Sequence, residues 1–195
     1  MFMFIVLFYG LAFGIVVSSQ QNGKLIIQNI LNSELSVEKT AILISGIMFL
    51  SRIIRIIGNY YFPKVYKKTG GKTGLFLSLM IIISCLFILA GALINADFYV
   101  KAVICTIGFS VIPFLRDPIK IFCQKTVFER FDEKYQKDIF AFMAMGKSLI
   151  KFVLSLAVSF SLMYISLHNL FYIFLALMIP VLIVSVVFIK NNGDV

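Results

Sequence analysis

Long apolar runs are the feature that most constrains what this chain can fold into. An α-helix needs about 20 mostly apolar residues to cross the hydrocarbon core of a bilayer. The sequence contains six runs that qualify, and their apolar residues follow one another without the alternation typical of β-barrel strands. We therefore predict six transmembrane helices. The predicted spans are 1–19, 41–61, 74–96, 98–115, 140–167 and 169–189.

The composition agrees with a membrane protein and excludes several other classes. Hydrophobic residues make up 61% of the chain and charged residues 14%, whereas a soluble domain has about 45–50% and about 25%. A fold of 195 residues cannot bury this much apolar side chain, so the remainder must face lipid. A soluble enzyme, a disordered chain and a disulfide-stapled secreted domain are excluded. We predict one all-α, polytopic membrane domain over 1–195.

The sequence lacks the motifs of common catalytic and metal sites. It contains no GxSxG, no HExxH, no phosphate-binding P-loop and no pair of acidic residues inside a predicted span. His168 is the only histidine, and Cys85, Cys105 and Cys123 do not have the spacing of metal ligands. We expect neither enzymatic activity nor a bound metal or cofactor.

Basic residues are distributed unequally among the connections between the predicted spans. Cytoplasmic loops of membrane proteins carry an excess of Lys and Arg, so we predict that the second and fourth connections are cytoplasmic. Six spans then place both termini in the cytoplasm, and we expect a multi-pass protein of the cell membrane rather than a partner of nucleic acid. The second connection holds Lys64, Lys67, Lys68 and Lys72, the fourth holds Arg116, Lys120, Lys125, Arg130, Lys134 and Lys137, and the other three hold Lys24, Lys39 and Lys101.

The fourth connection, 116–138, shows the pattern of an amphipathic helix. Asp117 followed by Pro118 is typical of a helix start, since Asp caps a helix and Pro fits its first position. Apolar residues then recur at helical spacing between charged ones. This helix would lie on the membrane or extend the neighbouring spans. The alternative is a solvated connector.

Two arginines lie inside the second predicted span. Arg52 is about 17 Å into that span at about 1.5 Å per residue, near the middle of a core about 30 Å thick. Arg55, on the same face, is close enough to the cytoplasmic boundary to snorkel. Every acidic residue falls in a loop or at a span end, so Arg52 requires an anionic substrate, a carboxylate from another chain, or backbone carbonyls and water. Lys147 and Lys151 are expected to be snorkelling anchors or part of the same pathway.

The first predicted span ends in a polar cluster at 18–22. Gln20 and Gln21 of this cluster either line a permeation pathway or mark the exit from the membrane. Gly10 and Gly14 form a GxxxG sequence in the same span, which predicts a close approach of a neighbouring helix.

The spans and loops together resemble the C-terminal six-helix half of a major facilitator superfamily transporter. The segment 35–74 is similar to the second helix of such a half and its short, basic, glycine-containing cytoplasmic loop, although the usual aspartate of that loop is missing. The sequence 116–118, Arg-Asp-Pro, is similar to the family's later cytoplasmic loop. The residues that carry the resemblance are Gly58, Lys67, Lys68, Gly70, Gly71, Lys72 and Arg116.

The resemblance implies a secondary transporter, or a truncated half of one, that moves a small solute by alternating access. Arg52, Arg55, Gln20 and Gln21 are then the candidates for the substrate pathway, and an anionic substrate is one option. The chain is expected to be a fragment of a longer transporter or to assemble with a second six-helix half or a copy of itself, which would supply a carboxylate for Arg52. Two alternatives are a substrate-binding membrane subunit of a multi-component vitamin importer and a non-transporting structural membrane protein.

Overall fold

In a computed structural model the protein is a bundle of α-helices, and the structure describes residues 2–192, with side chains described for 2–189. A short 3₁₀ turn, Gly70–Lys72, joins the second and third helices. The helices are α1 (Phe2–Asn32), α2 (Val37–Thr69), α3 (Thr73–Leu93), α4 (Phe98–Arg130), α5 (Glu133–Ser161) and α6 (Leu170–Asn192).

Five helical stretches are long and apolar enough to cross a membrane. The longest, Val37–Leu93, has 57 residues and contains α2, the 3₁₀ turn and α3. The all-helical class predicted from the sequence is confirmed for the described residues, and the apolar helices are those of a membrane-embedded protein. The other four stretches are Phe2–Asn32, Phe98–Arg130, Glu133–Ser161 and Leu170–Ile189.

The contacts of α1 fix the directions of its neighbours. Near the start of α1, Phe8 packs edge-on against Phe122 of α4, and further along Gly23 lies against Phe109. Since the α4 numbers fall as the α1 numbers rise, the two helices are antiparallel. In contrast, Phe2 packs against Phe142 of α5, and further along α1 Gly14 lies against Leu154. The residue numbers of the two helices therefore rise together. Helix α5 is therefore parallel to α1.

The chain reverses between α2 and α3. Helix α2 runs parallel to α4, because Arg55 contacts Asp117 while Tyr66 contacts Glu129. Helix α3 runs antiparallel to α4, since it places its first residues near Phe122 and its last near Cys105. The reversal occurs at the 3₁₀ turn.

The packing of the six helices shows a 3+3 inverted repeat. Helix α2 packs on α4 as α5 packs on α1, and α3 packs on α4 as α6 packs on α1. The remaining principal pairs, α1 with α4 and α3 with α6, are unchanged when the first three helices are exchanged with the last three. Helix α6 is antiparallel to α1, because Phe188 stacks on Phe4 and Phe171 lies near Gly23. The exchange therefore also inverts the direction of every helix, as in an inverted repeat.

The core is formed by α1, α3 and α4 with one side of α6, whereas α2 and α5 contribute little to it. Sixteen residues of α1 and fourteen of α4 are buried. Along α2 and α5, both wholly described, most side chains are exposed within this chain. The buried residues are Thr40, Ser51 and Phe62 in α2 and Ile139, Met143 and Leu154 in α5.

The fourth predicted span and the helix predicted after it are one continuous helix. Asp117 and Pro118 lie inside α4, so the predicted helix start at these residues is wrong. The carboxylate of Asp117 binds Arg55 and Asn59 instead of capping a helix. Of the alternatives for 116–138, the extension of a neighbouring helix is the one observed up to Arg130.

Other helix ends also differ from the predicted spans. Helix α1 continues to Asn32, so Lys24 lies in the helix and not in a connection. Helix α5 begins at Glu133 and ends at Ser161, which places Lys147 near its middle and not at its end. Helices of this length exceed the hydrocarbon thickness, and the apolar windows in the sequence capture only part of each.

Candidate functional site

A two-point ion pair joins the middles of α2 and α4. The Nε and Nη2 atoms of Arg55 donate to the two carboxylate oxygens of Asp117 at 2.8 and 2.9 Å, and Asn59 Nδ2 donates to the same carboxylate at 2.6 Å. The statement that every acidic residue lies in a loop or at a span end is therefore wrong for Asp117. The Arg55 guanidinium is held by this partner.

A close approach of the helices permits this pair. Gly58 of α2 lies directly against the ring of Phe114, so that a side chain at this position would clash with the ring. Gly58, predicted to belong with the basic loop, lies inside α2 and forms a contact between α2 and α4. Small residues at such positions allow two membrane helices to approach closely.

Arg52 differs from Arg55 in its surroundings. Its side chain is exposed within this chain and makes no ion pair or hydrogen bond with any residue in 2–189. Ser45, Arg52 and Asn59 recur at intervals of about two helical turns, so they form one polar stripe along α2.

Two cations from different helices converge on one aromatic ring of α1. The guanidinium carbon of Arg116 lies 5.6 Å from the centre of the Phe13 ring, and the Lys147 Nζ lies 5.1 Å from it. The Lys147 Nζ is also 5.6 Å from the ring centre of Tyr9. Cation–π contacts of this kind offset part of the cost of removing a charge from water. They do not remove the repulsion between two like charges.

A cavity of about 180 Å³ opens beside Lys147 between α1, α4 and α5; we call it the α5 cavity. Tyr9, which is 5% exposed, lines it. The Tyr9 hydroxyl makes no hydrogen bond with the described residues. The lining residues are Tyr9, Lys120, Gln124, Phe140, Met143, Ala144 and Lys147.

A second cavity of about 250 Å³, which we call the α2 cavity, lies between α1 and α2. Thr40 is 2% exposed there. Its Oγ1 is buried and has no hydrogen-bond partner in the described part of the chain. The lining residues are Lys24, Gln28, Asn32, Val37, Thr40, Ala41, Ile44 and Ser45.

The polar cluster at 18–22 lies within α1 and not at its end. Ser19 is buried and its Oγ lies 3.5 Å from the Sγ of Cys85 in α3, while Asn22 Nδ2 donates to the Ser18 carbonyl oxygen at 2.8 Å. These contacts satisfy the polar groups inside the bundle. Gln20 is half-buried and Gln21 is exposed, and neither lines the α5 or the α2 cavity.

The residues of the basic loop do not form one cluster with Arg116. Lys67 and Lys68 end α2, and Gly70, Gly71 and Lys72 form the 3₁₀ turn, all of them exposed. Arg116 lies in the interior of α4 against Phe13. The interpretation of Arg116 as a loop residue is therefore wrong.

Lys24 and Lys120 are cavity residues that the sequence analysis assigned to connections. Both lie inside helices, and each lines one of the two cavities. The apolar residues that flank each lysine were the available signal. Such flanking residues indicate that a helix continues past a charge. In the structure α1 and α4 do continue past Lys24 and Lys120.

The fold and the site define a membrane-embedded helical bundle with charged and polar residues at mid-helix. Comparisons with protein families, with curated proteins and with solved structures find no match to this chain. Its function must therefore be inferred from the fold and from these residues.

Proposed function

We propose that the chain is one six-helix half of a secondary transporter of the major facilitator type, which moves a small solute by alternating access. The 3+3 inverted repeat is the observation that carries this proposal. Repeats of this kind are nested within each six-helix half of these transporters, and substrate sites lie near mid-membrane where the repeats meet.

The charged residues at mid-helix support a solute pathway. An arginine or lysine at the bilayer centre costs at least about 2.5–3.5 kcal/mol, and such residues face a bundle interior or a wet cavity. Arg52, Arg116 and Lys147 all lie well inside their helices, on α2, α4 and α5. We assign the surface between these helices and α1 to the pathway, with Arg52 as a substrate-contacting residue.

The distribution of charge supports a partner that covers α2 and α5. Both helices expose most of their side chains, and both carry cations, Arg52 and Lys151, that are exposed within this chain. Lipid cannot satisfy these charges. The partner is a second six-helix half or a second copy of this chain, and its carboxylates or the water-filled pathway between the halves balance the cations.

The ends of the bundle support six crossings with cytoplasmic termini. Lys125 Nζ lies 3.8 Å from the ring centre of Tyr66, which places the ends of α2 and α4 together. This end of the bundle holds most of the basic residues, and by the positive-inside rule it is cytoplasmic. We infer that α2 and α3 each cross the cell membrane.

One observation favours the non-transporting alternative for part of the site. Arg55 is engaged by Asp117 and Asn59, which is what a purely structural arginine would do. Arg55 is therefore withdrawn from the pathway candidates and assigned to helix packing. The effect of substituting Arg52 therefore distinguishes a transporter from a structural protein.

Retention of solutes in proteoliposomes tests the proposal. The protein is extracted from its native membrane in mild detergent together with any associated chain, and it is reconstituted into vesicles loaded with a defined mixture of small carboxylates, organic phosphates and neutral sugars. We expect selective loss of one solute or one narrow class, measured by mass spectrometry against protein-free vesicles. Equal retention of every solute in both kinds of vesicle would contradict a transport function.

The same extract identifies the partner. A denatured band near the chain mass of 22.0 kDa, with a larger native complex, is the result expected for a six-helix subunit. A denatured band near twice that mass is the result expected if the residues belong to a longer transporter. A co-purifying ATPase would instead favour the vitamin importer subunit.

A further inference from the structure

The two central helices carry the same short pattern at equivalent positions. Residues 24–28 read Lys-Leu-Ile-Ile-Gln and residues 120–124 read Lys-Ile-Phe-Cys-Gln. The shift of 96 residues that matches the first residues of α2 and α5, Val37 and Glu133, also matches Lys24 with Lys120. The same register matches Phe13 with Phe109. The pattern thus follows the inverted repeat observed in the packing.

The apolar surroundings of the two lysines correspond in part. When α2 and α5 are matched from their first residues, Ile44 corresponds to Phe140, and each lies beside the lysine of its own repeat. Lys24 is also surrounded by Ile47, Met48 and Phe109. The residues equivalent to Ile47 and Met48 are Met143 and Ala144, and both lie around Lys120.

The inversion of the repeat places the two cavities toward opposite ends of the bundle. Lys24 lies in the part of α1 that leads into α2, whereas Lys120 lies in the part of α4 that leads into α5. Because α1 and α4 are antiparallel, these two parts point to opposite ends. A solute crossing the bundle would meet one cavity near each side of the membrane.

Each cavity combines hydrogen-bond donors with an unbalanced positive charge. The lysine ammonium and the glutamine amide supply donors at matched positions of both cavities. The α2 cavity adds the buried Thr40 Oγ1, which has no hydrogen-bond partner among the described residues, and the α5 cavity adds Lys147 and the Tyr9 side chain. Neither cavity is lined by Asp or Glu. Lys24 and Lys120 form no ion pair with residues 2–189.

We propose that the α5 and α2 cavities are two equivalent binding stations for an anionic group, a carboxylate or a phosphate, of the transported solute. Lys120 and Gln124 hold the group at one station, and Lys24 and Gln28 hold it at the other. This inference rests on the proposed transport function and adds its substrate class. The headgroup of an anionic lipid has the same chemistry, and the experiment separates the two sources.

Thermal unfolding with a thiol-reactive dye provides a direct binding measurement. Cys85, Cys105 and Cys123 are buried, so the dye reacts when the bundle opens. The probes are citrate and inorganic phosphate, added to the complete complex at constant ionic strength, with glycerol as the neutral comparison. We expect the anions, and not glycerol, to raise the unfolding temperature of the unmodified protein.

Charge-removing variants locate the binding. Lys24→Gln and Lys120→Gln should each remove one station and reduce the anion-induced rise in unfolding temperature by roughly half, and the double variant should abolish the anion effect. Lys24→Arg and Lys120→Arg retain the charge and should bind. Lys39→Gln and Lys137→Gln remove exposed lysines outside both cavities, and they should behave as the unmodified protein does.

Three results would overturn the inference. The first is no effect of either soluble anion on the unmodified protein. The second is an effect that survives in the double variant. The third is stabilisation by added phosphatidylglycerol over phosphatidylcholine with none by citrate or phosphate, which would assign the stations to lipid. Selective solute loss from vesicles together with any of these results would leave the transport proposal standing and reject only the anion stations.

Discussion

Arg55 and Asp117 form a two-point ion pair between α2 and α4, with Nε···Oδ2 at 2.8 Å and Nη2···Oδ1 at 2.9 Å. The planar guanidinium matches both carboxylate oxygens, so the pair fixes the register of the helices as well as neutralising two charges. It also separates the roles of two neighbouring arginines. Arg55 is a packing residue, and Arg52 has no carboxylate among the described residues.

Breaking this pair from either side should destabilise the bundle. Asp117→Asn and Arg55→Gln should each lower the free energy of unfolding by about 2 kcal/mol, because each leaves a charged partner unpaired between helices. The double variant should lose less than the sum, and the shortfall is the coupling energy of the pair. Unfolding temperatures in detergent measure all three. Strictly additive losses would show that the two side chains do not interact.

Arg52 should be needed for transport and not for folding. Arg52→Ala is expected to insert, to retain its unfolding temperature and to lose the selective solute flux, because no described residue depends on Arg52 for a hydrogen bond. The neighbouring Ile53→Ala removes an apolar side chain that is 36% exposed and is the matched control. Normal solute flux through correctly inserted Arg52→Ala protein would contradict the proposed role of this residue.

Glycines between α3 and α4 should tolerate no side chain. A Cβ at Gly108 would lie 2.6 Å from the Ser84 carbonyl oxygen, and a Cβ at Gly91 would lie 2.8 Å from the backbone nitrogen of Cys105. Backbone atoms cannot move aside as a flexible side chain can. Gly108→Ala and Gly91→Ala should each cost about 1–3 kcal/mol through overpacking, measured as a lower unfolding temperature.

Gly46 provides the matched control for these glycines. It lies in α2 with no atom within 4 Å of an added Cβ, so Gly46→Ala should be neutral or should stabilise the helix by up to about 1 kcal/mol. Equal losses for Gly46→Ala and Gly108→Ala would show that helix propensity and not close packing decides the outcome.

We expect the end of the bundle where α2 and α4 meet, which carries most of the positive charge, to face the cytoplasm. Single cysteines at Gly71, in the exposed 3₁₀ turn, and at Asn95, between α3 and α4, are expected to react with a membrane-impermeant thiol reagent from opposite sides. Gly71→Cys should react from the cytoplasmic side. The native cysteines are buried and give little background. Reaction of both positions from one side would exclude a crossing by α3, the helix that lies between them.

The helical class was predictable from the sequence because it depends on local apolar runs, whereas helix ends depended on contacts between distant residues. The cluster at 18–22 reads as a helix end because the apolar run stops there. In the structure Ser19 and Asn22 are buried and their polar groups have partners. Tertiary packing thus carries α1 past the point where local hydropathy would end it.

The candidate site was only partly predictable for the same reason. The intramembrane arginines were visible as charges within an apolar run, but Asp117 was not recognised because Asp-Pro is a strong local helix-start signal. Its true partner, Arg55, is distant in the sequence and is brought to it by the packing of α2 on α4. The convergence of Arg116 and Lys147 on Phe13 likewise requires three helices.

The accessibility of the two cavity lysines tests most directly whether the proposed pathway has one station facing each side of the membrane. Lys120→Cys and Lys24→Cys are made separately in the complete protein and treated with a membrane-impermeant thiol reagent in vesicles of each orientation. Leu79→Cys, at a position 44% exposed on α3 and outside both cavities, is the control. We predict that position 120 reacts from the cytoplasmic side, position 24 from the opposite side and position 79 from neither. Reaction of positions 120 and 24 from the same side, or of neither, would contradict a pathway with one station facing each side of the membrane.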